Sequence, residues 1–487
     1  MTNSSDIARL AINNAHLIGG AWVPGDGDTI AVLDPATATE IGRIPRGGAF
    51  EVDQAVAAAT AALPVWRDMN PTERAVILRR WGDLCLAEAE TIQKLECLEV
   101  GRIYVAPSIV GQRLIYRAGQ TDKLTGTALP VSHPYNLALC VREPYGVCGV
   151  IVPWNVPTDL MINDVAPALA AGNTVIVKPP EDAPFAIQHV LSLARAAGVP
   201  DGVVNIVNGF GAEAGAALAG HPGIQHMSFT GSPETGKRIM ESCARNLTPL
   251  RLELGGKSPQ IVFEDADLEK ALPALLRGIV NNAGQVCSAG SRLLVANPIR
   301  EKLARLLAGR MDALRLGAWD SGADIGPLIN GKQRERVLGY VRLGAEQGGR
   351  LMTRTAVDAG LPEAGFFVRP ALFDAVTHDM AIAREEIFGP VLSVVGFDDP
   401  EEALRIANGT RYGLVASIWT ERTTRAIQMA KRVEAGLVYI NTYAFNDAIG
   451  APFGGIRDSG FGRSMGIDAI DEYTRSKTII MNAQGTL

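Results

Sequence analysis

The stretch VCGVIVPWNVPTDLMINDVAPALAAGNTVIVKPPE, Val147 to Glu181, decides how the chain is read. Two short β-branched runs, VCGVIV and NTVIVKP, are separated by a longer amphipathic segment, the pattern of strand, crossover helix and parallel strand. The alternation continues through FAIQHVLSLARAAG, VVNIV, AEAGAALAG, QHMSFTG and SPETGKRIMESCARN to LRLEL at residues 250–254. A sheet wound this way binds ligands at the carboxyl ends of its strands, so the first half reads as a nucleotide-binding α/β domain. A second α/β series starts at Ser258 with PQIVF, runs through LEKALPALLRGIVNNAG and SRLLVAN, and resumes after a loop-rich stretch with VLSVVGF, GLVASIWT and GLVYIN. Leu254, Gly255 and Gly256 form a hinge-like junction between the two lobes.

Upstream, helical patterns from about Val52 to Gln120 read as packing scaffold. Thr125 to Val141 and the C-terminal SKTIIMN read as isolated strands, and an intersubunit sheet would satisfy their edges. The length of 487 residues and 47% hydrophobic content suit two or three cores. Gly 52 and Pro 28 stay below low-complexity levels. A net charge of −6 without a basic block argues against nucleic acid as partner. No secretory address and no membrane-length apolar window are visible, which leads to the expectation of a soluble protein. Six cysteines without metal-ligand spacing fit free thiols in a reducing cytoplasm and no metal site.

Among those cysteines, Cys287 stands apart in NNAGQVCSAGSR. Gly284, Gln285, Ser288 and Gly290 break a helix just before a strand, so the residues leave open a loop-borne nucleophile as well as a buried small hydrophobe. Glu253 ends an apolar strand facing the interlobe space, where it is either a positioned base or a salt-bridge partner. Asn155, between Pro153 and Pro157, is an ordinary turn residue or an amide aimed at a developing oxyanion. The segment GFGAEAG, including Gly211, falls one residue off a dinucleotide fingerprint. In FTGSPETGK, Gly231 and Ser232 precede Pro233 at an expected helix start, a place that attracts phosphate. Lys178 and Glu181 end the next strand, with Glu181 placed to accept from ribose hydroxyls or to act as a plain surface charge.

Seven segments then occur together and in order: PWN at 153–155, KPPE at 178–181, FTGS at 229–232, LELGGKSP at 252–259, GQVCSAGSR at 284–292, EEIFGPV at 385–391 and PFGG at 452–455. The set resembles the NAD(P)-dependent aldehyde dehydrogenase superfamily over nearly the whole chain. The resemblance implies a Rossmann-like cofactor domain (1–122 and 144–254), an α/β catalytic domain (255–457) and a small bridging β-sheet (123–143 and 458–487) in a homodimer or homotetramer. It implies Cys287 as nucleophile toward an aldehyde, Asn155 as oxyanion holder and Glu253 as the base that activates water on a Cys287 thioester. Trp154, Lys178, Glu181 and Ser232 fall on its adenosine-ribose and pyrophosphate positions, and Glu386 and Phe388 on its nicotinamide-riboside positions. Pro153, Gly211, Thr230, Gly231 and Leu254 complete the implied cofactor set.

Glu181 favours NAD, with NADP left open, because its charge repels a 2′-phosphate. Glu253 favours hydrolysis over transfer of the acyl group to coenzyme A. A coenzyme A-acylating semialdehyde dehydrogenase and a non-catalytic relative are the alternatives. The chain departs from the family's pattern at Val156, Leu160 and Asn163, where an aromatic cage is common, at Asp164 in place of a lysine, and at Ser464 in place of a glutamate. Asp159 and Arg117 face either the substrate tunnel or the surface. Which aldehyde is bound is not legible.

Overall fold

The computed structural model of the chain describes residues 14–25, 27–443 and 448–482. Parts of the expected segments lie outside the described residues: 1–13 and 26 of 1–122, 444–447 of 255–457, and 483–487 of 458–487.

The alternation read from Val147 folds as a parallel array of Val147–Ile151, Thr174–Lys178, Val204–Ile206, His226–Thr230 and Leu250–Glu253. The strands 147–151, 174–178 and 226–230 are buried at every position; the first two read as nearly continuous apolar runs, whereas in the third His226, Ser228 and Thr230 alternate with Met227 and Phe229. The chain winds outward from Val147–Ile151 through Thr174–Lys178 to Val204–Ile206. It then returns to lay His226–Thr230 and Leu250–Glu253 on the other side. The reversal falls between Val147–Ile151 and His226–Thr230, so a crevice opens at their carboxyl ends.

Among the described residues this sheet has eight strands, closed by antiparallel Ala15–Ile18 and Ala21–Pro24 at one edge and Gly460–Phe461 at the other. The last pair corrects the expectation that the segment from residue 458 onward is wholly bridging. Gly460 sits at φ +101, and a Cβ there would lie 2.1 Å from the Leu252 carbonyl oxygen. Glycine therefore lets the chain close on the edge of the first sheet.

A second sheet runs in the order Arg350–Leu351, Ala371–Asp374, Val391–Phe397, Arg292–Ala296, Pro259–Val262, Val415–Trp419 and Leu437–Ile440. All its pairings are parallel except the first. The stretch expected to be loop-rich instead carries the helices Asn297–Asp312 and Gly331–Glu346. The first buries Leu303, Ala304, Leu307, Ala308 and Met311, a helical stripe set among charges. The second buries only Val337 and Gly344, so its apolar signal is thin.

Thr127–Leu129, Asn136–Pro144 and Thr474–Asn482 form a separate three-stranded sheet. The two segments read as isolated strands thus pair with each other within one chain, with Cys140 opposite Thr478. Along Thr474–Asn482 every residue after Thr474 is exposed, including Ile479, Ile480 and Met481. No described helix is long and apolar enough to cross a membrane. The described residues hold no cluster of three His, Cys, Asp or Glu suited to a metal.

Candidate active site

A cavity of about 910 Å³ occupies the crevice. It is lined from the first lobe by Pro153, Trp154, Asn155, Leu160, Thr230, Gly231 and Ser232, from the junction by Glu253, Leu254 and Gly255, and from the second lobe by Cys287, Glu386 and Phe388. Three expected cofactor residues lie outside this lining. Lys178 is buried and its Nζ lies 2.6 Å from a Glu181 carboxylate oxygen. A Cβ on Gly215 would touch the Lys178 stem at 3.9 Å, so the Gly211–Gly215 turn flanks that pair at the end of the same sheet.

The Cys287 loop is built by backbone that few residues adopt. Asn282 and Ala283 take φ +48 and +52, and Gly284 takes φ +73 directly against the Gly389 carbonyl. This left-handed run stops the Leu268–Val280 helix and swings the following loop into the crevice. Two bonds fasten it to Asn155. The Asn155 side chain donates to the Gln285 carbonyl (2.9 Å), and the Asn282 side chain donates to the Asn155 carbonyl (2.9 Å). The junction packs from the opposite side, since a Cβ on Gly256 would come within 2.5 Å of the Cys287 carbonyl oxygen. Cys287 is half-buried, whereas Cys85, Cys97, Cys148 and Cys243 are fully buried. Burial raises the Cys287 thiol well above its ordinary value, and the Glu253 and Glu386 carboxylates add to the shift. The Ser288 backbone N–H opposes it by donating toward the sulfur.

Glu253 is buried, and its Oε1 has no hydrogen-bond partner. Burial pushes its carboxyl up to about 8; the Arg251 guanidinium pulls the other way and Asp164 adds to the rise. Arg251 stands two residues before Glu253 on the same strand and therefore on the same face. It forms a buried ion pair with Asp164 and donates to Ser228 Oγ at 2.8 Å. The acid at position 164 thus brings its own counter-ion, a partner that sequence reasoning did not single out. Ser464 exchanges backbone hydrogen bonds with Phe453 at 2.7 Å. Arg117 is buried and donates to the Gln120 side chain and the Gly466 carbonyl. Asp159 lies 3.8 Å from Arg113.

The remaining lining suits a dinucleotide. Ser232 caps the Pro233–Ala244 helix through the Thr235 N–H, as its sequence predicts, and turns the helix N-terminus toward the crevice. Gly255 leaves the space that Glu386 occupies, because a Cβ there would lie 2.0 Å from the carboxylate. Glu386 accepts from the Gly256 N–H at 2.9 Å, and burial pushes it up to about 7. Trp154 and Phe388 meet edge to face across the crevice, 5.3 Å between centroids at 87°.

Sequence reasoning missed the residues that hold Phe388 in place. Phe388 takes φ +59, and Gln333 donates to its carbonyl at 2.7 Å while Arg336 donates to the Glu386 carbonyl at 2.6 Å. Both come from the Gly331–Glu346 helix, which was read as loop. The spacing of three between Gln333 and Arg336 on one helical face was the available signal.

The sequence profile of the aldehyde dehydrogenase family matches residues 22–479. Aldehyde dehydrogenase 1 of Tanacetum cinerariifolium is 41% identical over 474 residues, covering 95% of this chain and 94% of that one. Retinal dehydrogenase 2 of Mus musculus is 39% identical over 473 residues, covering 95% and 90%. The NAD+ complex of an aldehyde dehydrogenase from Bacillus cereus superimposes with a TM-score of 0.94 at 39% identity, covering 97% of each chain. With the two α/β lobes and the crevice between them, these likenesses show that the chain belongs to the aldehyde dehydrogenase family.

Proposed function

We propose that this protein oxidises an aldehyde to the carboxylate with NAD+, through a covalent intermediate on Cys287 that water activated by Glu253 hydrolyses. The observation that carries the reading is the junction of three elements on one cavity. Asn155 is tied to the Cys287 loop by two hydrogen bonds, and Gly256, three residues after Glu253, packs on the Cys287 carbonyl.

The chemistry follows from the side chains. Glu253, held near 8, is protonated over part of the neutral range and can exchange a proton with the thiol or with water. The Cys287 sulfur adds to the aldehyde carbonyl and gives a thiohemiacetal. The second N–H of the Asn155 amide and the Cys287 backbone N–H receive the oxyanion, and one such donor contributes about 3 kcal/mol in comparable sites. NAD+, when bound, would supply the hydride acceptor; Trp154, Ser232, Glu386 and Phe388 would hold it, with Lys178 and Glu181 placed for the ribose. Cys287 then carries a thioester, and Glu253 takes a proton from the attacking water. A base poised over the thioester favours the carboxylate over acyl transfer to coenzyme A.

The Bacillus cereus NAD+ complex supports the cofactor assignment, and the Glu181 charge supports NAD over NADP. The exposed apolar row Ile479, Ile480 and Met481 supports the three-stranded sheet as a subunit contact in a homodimer or homotetramer. Six free cysteines support a reducing, cytoplasmic location. Cys287→Ala tests the reading: NADH formation with an aldehyde panel drops by at least ~10³-fold. Product analysis with and without coenzyme A separates carboxylate from thioester release, and a strict coenzyme A requirement would overturn the hydrolytic route.

A further inference from the structure

Glu181, placed for the adenosine ribose, and Phe388, placed for the nicotinamide riboside, stand on opposite lobes, and one run of hydrogen bonds joins their surroundings. It starts at Asp182, the residue after Glu181. Asn330 Nδ2 donates to Asp182 Oδ2 at 3.2 Å, a bond from the second lobe to the first. The oxygen of the same amide accepts from the Gln333 N–H at 2.9 Å and so caps the Gly331–Glu346 helix. Gln333 then donates through its side chain to the carbonyls of Ile387 at 3.1 Å and Phe388 at 2.7 Å.

Both ends of the bond between the lobes are anchored. The turn that bears Asn330 is pinned within the second lobe, because the Ile329 N–H donates to Gln285 Oε1 at 3.0 Å and the Leu328 N–H to the Phe366 carbonyl at 3.0 Å. Asp182 lies four residues beyond Thr174–Lys178, a strand buried at every position. Burial and the neighbouring Glu181 charge push its carboxyl up to about 6, while the Asn330 amide, Lys178 and Lys332 pull the other way. At neutral pH Asp182 is therefore ionised, and Asn330 meets a carboxylate, the stronger kind of acceptor. Of the two adjacent acids, Glu181 is held by Lys178 within the first lobe and Asp182 is turned to the second.

We infer that Asp182 and Asn330 are positioning residues, a bridge that fixes the two halves of the dinucleotide site relative to each other. A ligand that touches both lobes gains from the bridge, because lobes already held in place need not be ordered when it binds, whereas a ligand confined to one lobe does not. The inference rests on the NAD+ assignment proposed above and adds to it how the two ends of the site are kept in register.

The test measures Kd for NAD+ and for ADP, its adenosine half, by calorimetry without aldehyde. The proteins compared are the wild type, Asp182→Asn, Asn330→Asp and the double variant Asp182→Asn/Asn330→Asp. Asn330→Asp keeps an oxygen to cap the helix but loses the donor and sets two carboxylates against each other. It should weaken NAD+ by about 10-fold and ADP by less than about 2-fold. Asp182→Asn keeps an acceptor for Asn330 and should stay within about 3-fold of the wild type for both ligands. The double variant restores a donor facing an acceptor with the roles exchanged, and should bring NAD+ back to within about 3-fold of the wild type. The ratio of the two Kd values decides, since a change of charge beside Glu181 acts on NAD+ and ADP alike. If Asn330→Asp does not fold, Asp182→Ala removes the acceptor instead and should shift the ratio in the same direction. An unchanged ratio, or a shifted ratio that the double variant does not recover, overturns the bridge and leaves the cofactor assignment standing. A wild type that binds no NAD+ overturns both.

Discussion

Replacing Gly256 by alanine probes the contact that couples the base-bearing strand to the nucleophile loop. The new Cβ would stand 2.5 Å from the Cys287 carbonyl oxygen and 3.3 Å from Leu414 Cβ, whereas ordinary contact begins at 3.4 Å. Because both the new methyl and the carbonyl are carried on backbone, the shortfall of about 0.9 Å cannot be absorbed by a side-chain rotation. The Cys287 loop or the Glu253 strand must give. A displacement of that size at a reacting centre costs about 10²-fold in rate, while overpacking costs about 1–3 kcal/mol of stability. Steady-state NADH formation should fall by roughly two orders of magnitude, with the melting transition still cooperative. The rate of Cys287 alkylation by iodoacetamide should change alongside. Gly309→Ala serves as the control, since nothing lies within 4 Å of its Cβ and it sits inside the Asn297–Asp312 helix. It should gain about 0.5–1 kcal/mol and keep wild-type turnover. Wild-type kcat in a folded Gly256→Ala would refute the claim that this close approach positions the nucleophile.

Other consequences are equally direct. The pH profile of kcat should rise through about 8 as Glu253 loses its proton. Asp164→Asn removes a charge that raises Glu253 and moves this limb to lower pH, whereas Arg251→Gln moves it higher. Glu253 has a folded value above its ordinary 4.5, so the stability it lends is present below 4.5 and is lost as pH rises through about 8. Glu253→Gln should accordingly melt higher than the wild type above that pH in differential scanning calorimetry. Gln333→Ala frees the Phe388 carbonyl and should raise KM for NAD+ by about 10-fold, with a smaller change in the aldehyde KM. Glu181→Ser should raise the NADP over NAD ratio of kcat/KM by roughly 10-fold in the same assay.

What the sequence could reveal follows from how local each signal is. Strand ends announced themselves: a short buried strand followed by Pro153 or Gly231 marks where backbone leaves the sheet, and those ends line the cavity. The cap at Ser232 needed only three residues to be read. The N-terminal strands Ala15–Ile18 and Ala21–Pro24 are four residues each and were not anticipated, because so short a run carries little periodicity. Asp164 drew attention as a departure, yet its partner Arg251 lies 87 positions away and only the fold joins them. The same holds for Arg113 and Asn163, 50 apart, whose helices pack side by side. Tertiary pairing of polar groups leaves no trace in spacing, so these partners were invisible where the cavity rim was not.

The central claim is that Cys287 carries the acyl group and Glu253 delivers the water that removes it. Glu253→Gln mixed with aldehyde and NAD+, quenched in acid and digested, measures this directly by mass spectrometry. The account predicts a single burst of NADH, no sustained turnover, and one acyl group on the peptide containing Cys287. Sustained wild-type turnover, or an adduct on any other residue, would contradict it.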